Sequence, residues 1–531
     1  MASGAAAILA SASVREVVGQ EATPAWSPAD GLRLAGPAGG LMTLDPAVAR
    51  DFQEMSILRQ VFRGLLGYST KLETVPDLAA SVTASEDVRV FAVALRPGIA
   101  FHDGRAITSR DVHDSFVRAL NPATAGGDAS GLSAAIYLGG IVGAADVLAG
   151  TTTTLAGFAI SSDATFEIHL TGADSAFPQK LASVPAAIVD ASTAGTGGVP
   201  NGTGPFRVDS FVPNSALALS ASSRWYEGAP EITSLSYRLG AGAGNPLNLY
   251  QAGEIDILDG IADDQMELLA DPASGASLGD VTKTNLFSLY YLALGSGQPP
   301  LDDVHVRRAL QLAFPAAKFA AAGGATVTPA RGFIPPGMLG EQWSATLPAM
   351  NLDAARSELR KSRYARAADV PPITIYGGQG QGAGPLRNVG VAMRDVVGAE
   401  LGLTIEPVWI DWNDYLLGLP QGLYPTYSIT WVADYPDPES MLWVLFGSDS
   451  SENYSGYRND AFDALLASAR AEPDDARRAS IYTDAQQVLI DDAVVMPFFF
   501  DISYTVARPG IAGVPASAIG MLGLESVRKS T

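Results

Sequence analysis

The sequence has 531 residues, none of them cysteine and only four of them histidine. Without thiols there is no disulfide framework, no thiolate nucleophile and no Cys-ligated zinc. His102, His113, His169 and His305 stand apart. No two share the i, i+4 spacing of a zinc helix, and none sits in a Glu-flanked metal motif. His169, between Ile168 and Leu170, reads as a half-buried strand residue. The chain also lacks a nucleophile elbow and a phosphate loop ending in Gly-Lys-Ser/Thr. Catalysis needs positioned groups of that kind, so the residues point away from an enzyme, and no cofactor or metal is expected. No run of about 18 apolar residues exists to cross a bilayer as a helix. Positive charge is scarce too: 34 Lys and Arg against 56 Asp and Glu give a net charge of −22. That balance excludes the clustered cations needed to bind nucleic acid or an anionic membrane surface.

What is present is length, punctuation and alternation. A chain this long exceeds the roughly 250–300 residues that one hydrophobic core serves, so two or three lobes are expected. Its 55 glycines and 34 prolines are spread along the chain as turn signals rather than gathered in one tract. Residues 1–29 read as a lead-in, and Met1 to Ala12 lacks the basic region of a signal peptide. The spacing of Ile57, Leu58, Val61, Phe62 and Leu65 predicts a helix over 54–66, closed by Gly67. Val88 to Leu95 predicts a strand, and Ser109 opens a helix through Val112, Phe116 and Leu120. Strands are expected at Gly31–Ala35, Thr165–Leu170, Phe206–Val208, Ile373–Ile375 (closed by Gly377-Gly378), Leu403–Trp409 and Ser428–Val432. Helices are expected over 386–401, 460–471 and 475–490. Strands alternate with helices in unequal blocks, which predicts α/β lobes with mixed sheets.

A series of motifs follows in order along the chain: Leu44-Asp45-Pro46, Gln60 to Leu65, Leu95-Arg-Pro-Gly-Ile-Ala-Phe-His-Asp-Gly104 and Gly202-Thr-Gly-Pro-Phe206. The series continues through Gly253-Glu-Ile-Asp256, Val304 to Leu310, Ile334-Pro-Pro-Gly337, Ala433-Asp-Tyr-Pro-Asp-Pro438, Asn453 to Tyr457 and Val495 to Phe498. Taken together these segments resemble the extracytoplasmic solute-binding proteins of ABC transporters, family 5. This is the peptide-, oligopeptide- and nickel-binding type, and the motifs are most like its oligopeptide-binding members. The resemblance spans about residues 40–515 and departs at Phe314-Pro315, where the family usually has an acidic residue.

The resemblance implies a bilobal, periplasmic-binding-protein-like α/β fold (type II, cluster C) with mixed sheets and an inserted subdomain. Carried onto this chain, lobe I holds residues 30–62, 185–286 and 501–531. The inserted subdomain is 63–184 and lobe II is 287–500, with hinge strands near Phe287–Leu294 and Phe498–Tyr504. The implied function is capture of peptides between the lobes and delivery to the permease subunits of an ABC importer. Such a protein is extracytoplasmic and monomeric. The same fold binding an oligosaccharide, a nickel chelate or an amine-bearing metabolite such as an opine is the alternative.

A peptide site that reads backbone must neutralise the ligand's α-amine, because a desolvated, unpaired ammonium is prohibitive. The position matching the family's anchoring carboxylate is Asp434, after the strand that carries Trp431; locally, an Asx-turn before Pro436 explains the same residue. Arg387 matches a ligand-facing basic position in oligopeptide-binding members, a candidate for the ligand carboxylate, with a solvated helix-start arginine the competing reading. Trp412 matches a side-chain pocket wall, with a core tryptophan the competing reading. Phe52 is expected to line the cleft, and Tyr435 and Trp431 to flank Asp434.

Overall fold

The computed structural model describes residues 31–37, 39–49, 52–127, 132–261, 263–271, 278–316, 327–339, 345–379 and 389–529. Its backbone is organised by one 13-residue strand, Val495–Ala507. The first part of this strand pairs antiparallel with Ser288–Ala293, through Tyr290↔Phe499 and Ala293↔Val495. The second part pairs antiparallel with Val281–Asn285 and with Ile257–Ile261. It therefore belongs to two half-sheets at once. One half runs Phe206–Val212, Ala216–Ala221, Ser234–Arg238, Gly31–Ala35, Ile257–Ile261 and then the bridging strand. The other half runs Ile405–Asp411, Ile373–Gln379, Tyr427–Val432, Ser288–Ala293 and the same bridging strand. Both halves mix parallel and antiparallel neighbours. This is the bilobal α/β fold with mixed sheets that the sequence led us to expect.

Within the sequence of the first half, between Gly31–Ala35 and Phe206–Val212, lies a separate four-stranded antiparallel sheet in the order Ala79–Ala84, Val90–Leu95, Thr165–His169, Phe158–Ser162. Its core gathers Phe91, Val93, Phe101, Val112, Phe116, Phe166 and Ile168, all buried. Helix Ser109–Leu120 covers this sheet. Thr108 and Asp111 form a reciprocal capping box at its start, and Val112, Phe116 and Leu120 fall on one buried face.

Several boundaries differ from the sequence reading, among them Phe206–Val212 and Ile405–Asp411, and two have a visible tertiary cause. The first helix is Phe52–Val61, not 54–66. It stops because the chain must pass close to another backbone: a Cβ on Gly64 would lie 2.6 Å from the Leu181 carbonyl oxygen. The amides of Thr203 and Gly204 cap the helix end by donating to Val61 O at 3.0 and 2.8 Å. Strand Ile373–Gln379 runs through Gly377-Gly378 rather than ending there. The glycines leave room for the Trp409 and Trp412 rings, which lie where their Cβ atoms would stand.

Candidate ligand site around Asp434

Strand Tyr427–Val432 lies in register with Ser288–Ala293, Val432 opposite Ser288. The ladder extends one residue further, Ala433 N donating to Phe287 O at 2.7 Å. Asp434 is therefore delivered at a fixed strand end, beside the strand Ser288–Ala293 that pairs with the bridging strand. Its amide donates to Ser440 Oγ at 2.8 Å. Its carboxylate accepts from the hydroxyls of Ser440 and Tyr137, each at 3.4 Å. The side chain is thus tied to the helix that follows and to the small inserted sheet region, not to the turn at Pro436. The Asx-turn explanation fails on this geometry.

The carboxylate is held in an unfavourable state. Burial, and then the negative charge of Glu452, push it up to about 7, against the opposing hydrogen bonds from Ser440 and Tyr137. Glu452 itself accepts from the Tyr454 hydroxyl. Among the described residues no lysine or arginine forms an ion pair with Asp434.

The two acids that follow have opposite surroundings. Asp437, fully buried, takes Arg478 at 2.7 Å and the Tyr482 hydroxyl at 3.3 Å. Glu439, also buried, takes Arg470 at 2.6 Å and Lys180 at 3.1 Å. Burial opposes the charge of Glu439, but the Lys180 and Arg470 cations outweigh it and hold the carboxyl at about 2. Lys180 also reaches Asp174 at 2.7 Å. This network ties residues 174–180 to the 439–470 region, helped by Ser175 N donating to Arg470 O at 2.9 Å.

The remaining sequence candidates fall in different places. Trp431 is half-buried opposite Leu289, and its indole N–H is buried without a partner among the described residues. Tyr435 is fully buried; its ring meets Tyr137 edge-on at 6.1 Å and lies under the Lys180 ammonium at 5.2 Å. It packs with the inserted region's core, so it braces Asp434 from behind. Trp412 packs against Tyr415 and Gly378 at the edge of the main core. Arg387 lies outside the described residues. Phe52 is 38% exposed and lines two adjoining cavities of about 790 and 1290 Å³. The larger has the bridging strand as its floor, through Asp501, Ile502, Ser503 and Thr505.

Sequence reasoning missed Tyr137, Ser440 and Glu452. Tyr137 is 297 residues from Asp434, and no local pattern marks it. Ser440 was findable: it opens a helix, Glu439–Phe446, six residues after Asp434.

Comparison with known proteins agrees with this architecture. The model of the bacterial extracellular solute-binding proteins, family 5, matches residues 73–453. The periplasmic oligopeptide-binding protein OppA of Escherichia coli K12 is 25% identical over 494 residues, covering 89% of this chain and 88% of its own. The dipeptide-binding protein of the same organism is 24% identical, with 86% of each chain covered. Among solved structures, the Escherichia coli murein tripeptide binding protein MppA superposes with a TM-score of 0.76 at 22% identity, covering 95% of this chain and 99% of its own.

Proposed function

The chain belongs to the family 5 bacterial extracellular solute-binding proteins, and from that premise we propose that it captures peptides between its two large lobes for an ABC-type importer. The observation that carries the ligand assignment is Asp434. It is a half-buried carboxylate at a strand end, braced by two hydroxyls, with no cation of its own among the described residues. A positive group arriving with the ligand removes that imbalance, and a peptide α-amine is such a group. The relatives named for oligopeptides and dipeptides support this choice of ligand.

In this reading residues 30–62, 185–286 and 501–531 make lobe I, 63–184 the inserted subdomain and 287–500 lobe II. The strands Ser288–Ala293 and Val495–Ala507 act as the hinge, and closure brings Asp434, Trp431 and Phe52 around the ligand. The protein works outside the cytoplasm as a monomer and releases its peptide unaltered to the permease. Arg387 and Trp412 are kept as contacts for the distal end of the ligand.

Titration calorimetry with a short peptide and its N-acetylated form tests the reading. Acetylation removes the ammonium and nothing else nearby, so the free-amine peptide is expected to bind at least 100-fold more tightly. Equal affinity for the two forms removes Asp434 as the amine anchor. Cleavage of the bound peptide, seen by mass spectrometry, overturns capture without catalysis.

A further inference from the structure

The cavity floored by the bridging strand has a chemical bias that the peptide reading does not need. It is lined from one half of the molecule by Phe52, Asp259, Ile261 and Leu522, and from the other by Tyr290 and Val327. The space between these walls, counted with the part open to solvent, is about 1290 Å³ and admits a long side chain. Two carboxylates, Asp259 and Asp501, share it with the hydroxyls of Thr284, Ser503, Thr505 and Ser517. Among the described residues that line it there is no lysine, arginine or histidine.

Resting on the peptide-capture reading, we propose that this cavity is a side-chain subsite selective for basic residues. It takes the lysine, ornithine or arginine side chain of a captured peptide against Asp501 and Asp259.

Three further observations support this. First, both carboxylates keep acceptor capacity. Asp259 accepts from the Thr505 hydroxyl and Asp501 from the Tyr290 hydroxyl, and an ionised carboxylate offers about four acceptor sites. Second, Thr284 Oγ1 is buried on this wall and meets no partner among the described residues. Buried polar atoms are rarely left so, and an incoming ammonium or guanidinium supplies the missing polar group. Third, the walls are apolar where the stem of such a side chain would lie: Phe52, Ile261, Leu286, Val327 and Leu522. The chain's own nearby cation is turned away. Lys283 is paired in register with Tyr504, one residue out of phase with Thr284 and Ser503, and its ammonium sits 5.5 Å over the Tyr504 ring.

The test is calorimetry on the full chain with tetra-alanine and its variants carrying one Lys, Leu or Glu at the second, third or fourth position. At one position Lys is expected to bind at least tenfold more tightly than Leu, and Glu more weakly than Leu. Asp501→Asn and Asp259→Asn should each bring the ratio of Lys-peptide to Leu-peptide affinity toward one, each variant being compared with its own Leu peptide. Equal affinity for Lys, Leu and Glu at every position overturns the subsite while leaving peptide capture standing. A Lys preference that survives in both variants also overturns it. If tetra-alanine and all its variants fail to bind wild-type protein, the capture reading falls and the subsite with it.

Discussion

Asp434 and the pair Asp437 and Glu439 are the same chemistry within six residues, placed in opposite environments. Asp437 and Glu439 are sealed against Arg478, Arg470 and Lys180. Asp434 stands half-buried with two long hydrogen bonds from hydroxyls and a second acid, Glu452, raising its proton affinity. A buried carboxylate with its cation is a brace; in the proposed reading, the carboxylate with no cation among the described residues is the receptor for the ligand's charge. The difference lies not in the residues but in which distant elements reach them.

The largest expected effect breaks the brace. Glu439→Gln leaves Lys180 and Arg470 without their shared carboxylate. It should cost about 3–5 kcal/mol of stability in denaturant unfolding, since removing one partner of a buried pair strands the other. Peptide affinity, measured well below the unfolding transition, should change little. Because Glu439 is held at about 2, below its ordinary value, its contribution is present above about pH 4.5 and lost as pH falls toward 2.

Asp434→Asn should do the reverse. Peptide affinity should fall about 100-fold, about 2.7 kcal/mol, by calorimetry. The ligand-free protein should become more stable at pH 8. A carboxyl raised to about 7 in the fold stabilises it below about pH 4 and loses that contribution as pH rises through 7. The gain should therefore vanish at pH 4. A variant destabilised at pH 8 would mean that Asp434 is a brace after all.

Without mutation, pH alone separates the two sites. A bound ammonium favours ionised Asp434, so binding below pH 7 must expel a proton. Affinity for a neutral-side-chain peptide should fall about tenfold per unit from pH 7 toward pH 5. A flat profile would show that no ammonium meets this carboxylate. The smallest effect is expected from Tyr137→Phe, which removes one neutral hydrogen bond at 3.4 Å. It should weaken binding three- to tenfold, about 1 kcal/mol, with stability nearly unchanged.

The sequence made several elements legible because their causes are local. Thr108 with Asp111 announces a helix start, and the capping box is there. Alternation along Thr165–His169 gives a strand. The motif at Asp45 resolves into an N-cap whose carboxylate also takes Arg118, a contact across 73 residues that no local pattern predicts. The end of the first helix was misplaced because its cause, the Leu181 backbone against Gly64, is likewise distant. At the candidate site, Asp434 and Phe52 were nominated through family resemblance, and Trp431 and Tyr435 by adjacency. The surroundings that give them different roles were not visible.

By itself the sequence determined the class of molecule: an acidic, cysteine-free α/β chain whose ordered motifs fit a solute-binding family. It also placed an aspartate at the end of a strand, because turn residues and β-branched alternation act over a few neighbours. Only the tertiary structure decided which carboxylates are neutralised. Ion pairs in a buried network are set by spatial approach, and Lys180 reaches Glu439 across 259 residues. The same approach brings the Tyr137 hydroxyl, and no cation among the described residues, to Asp434.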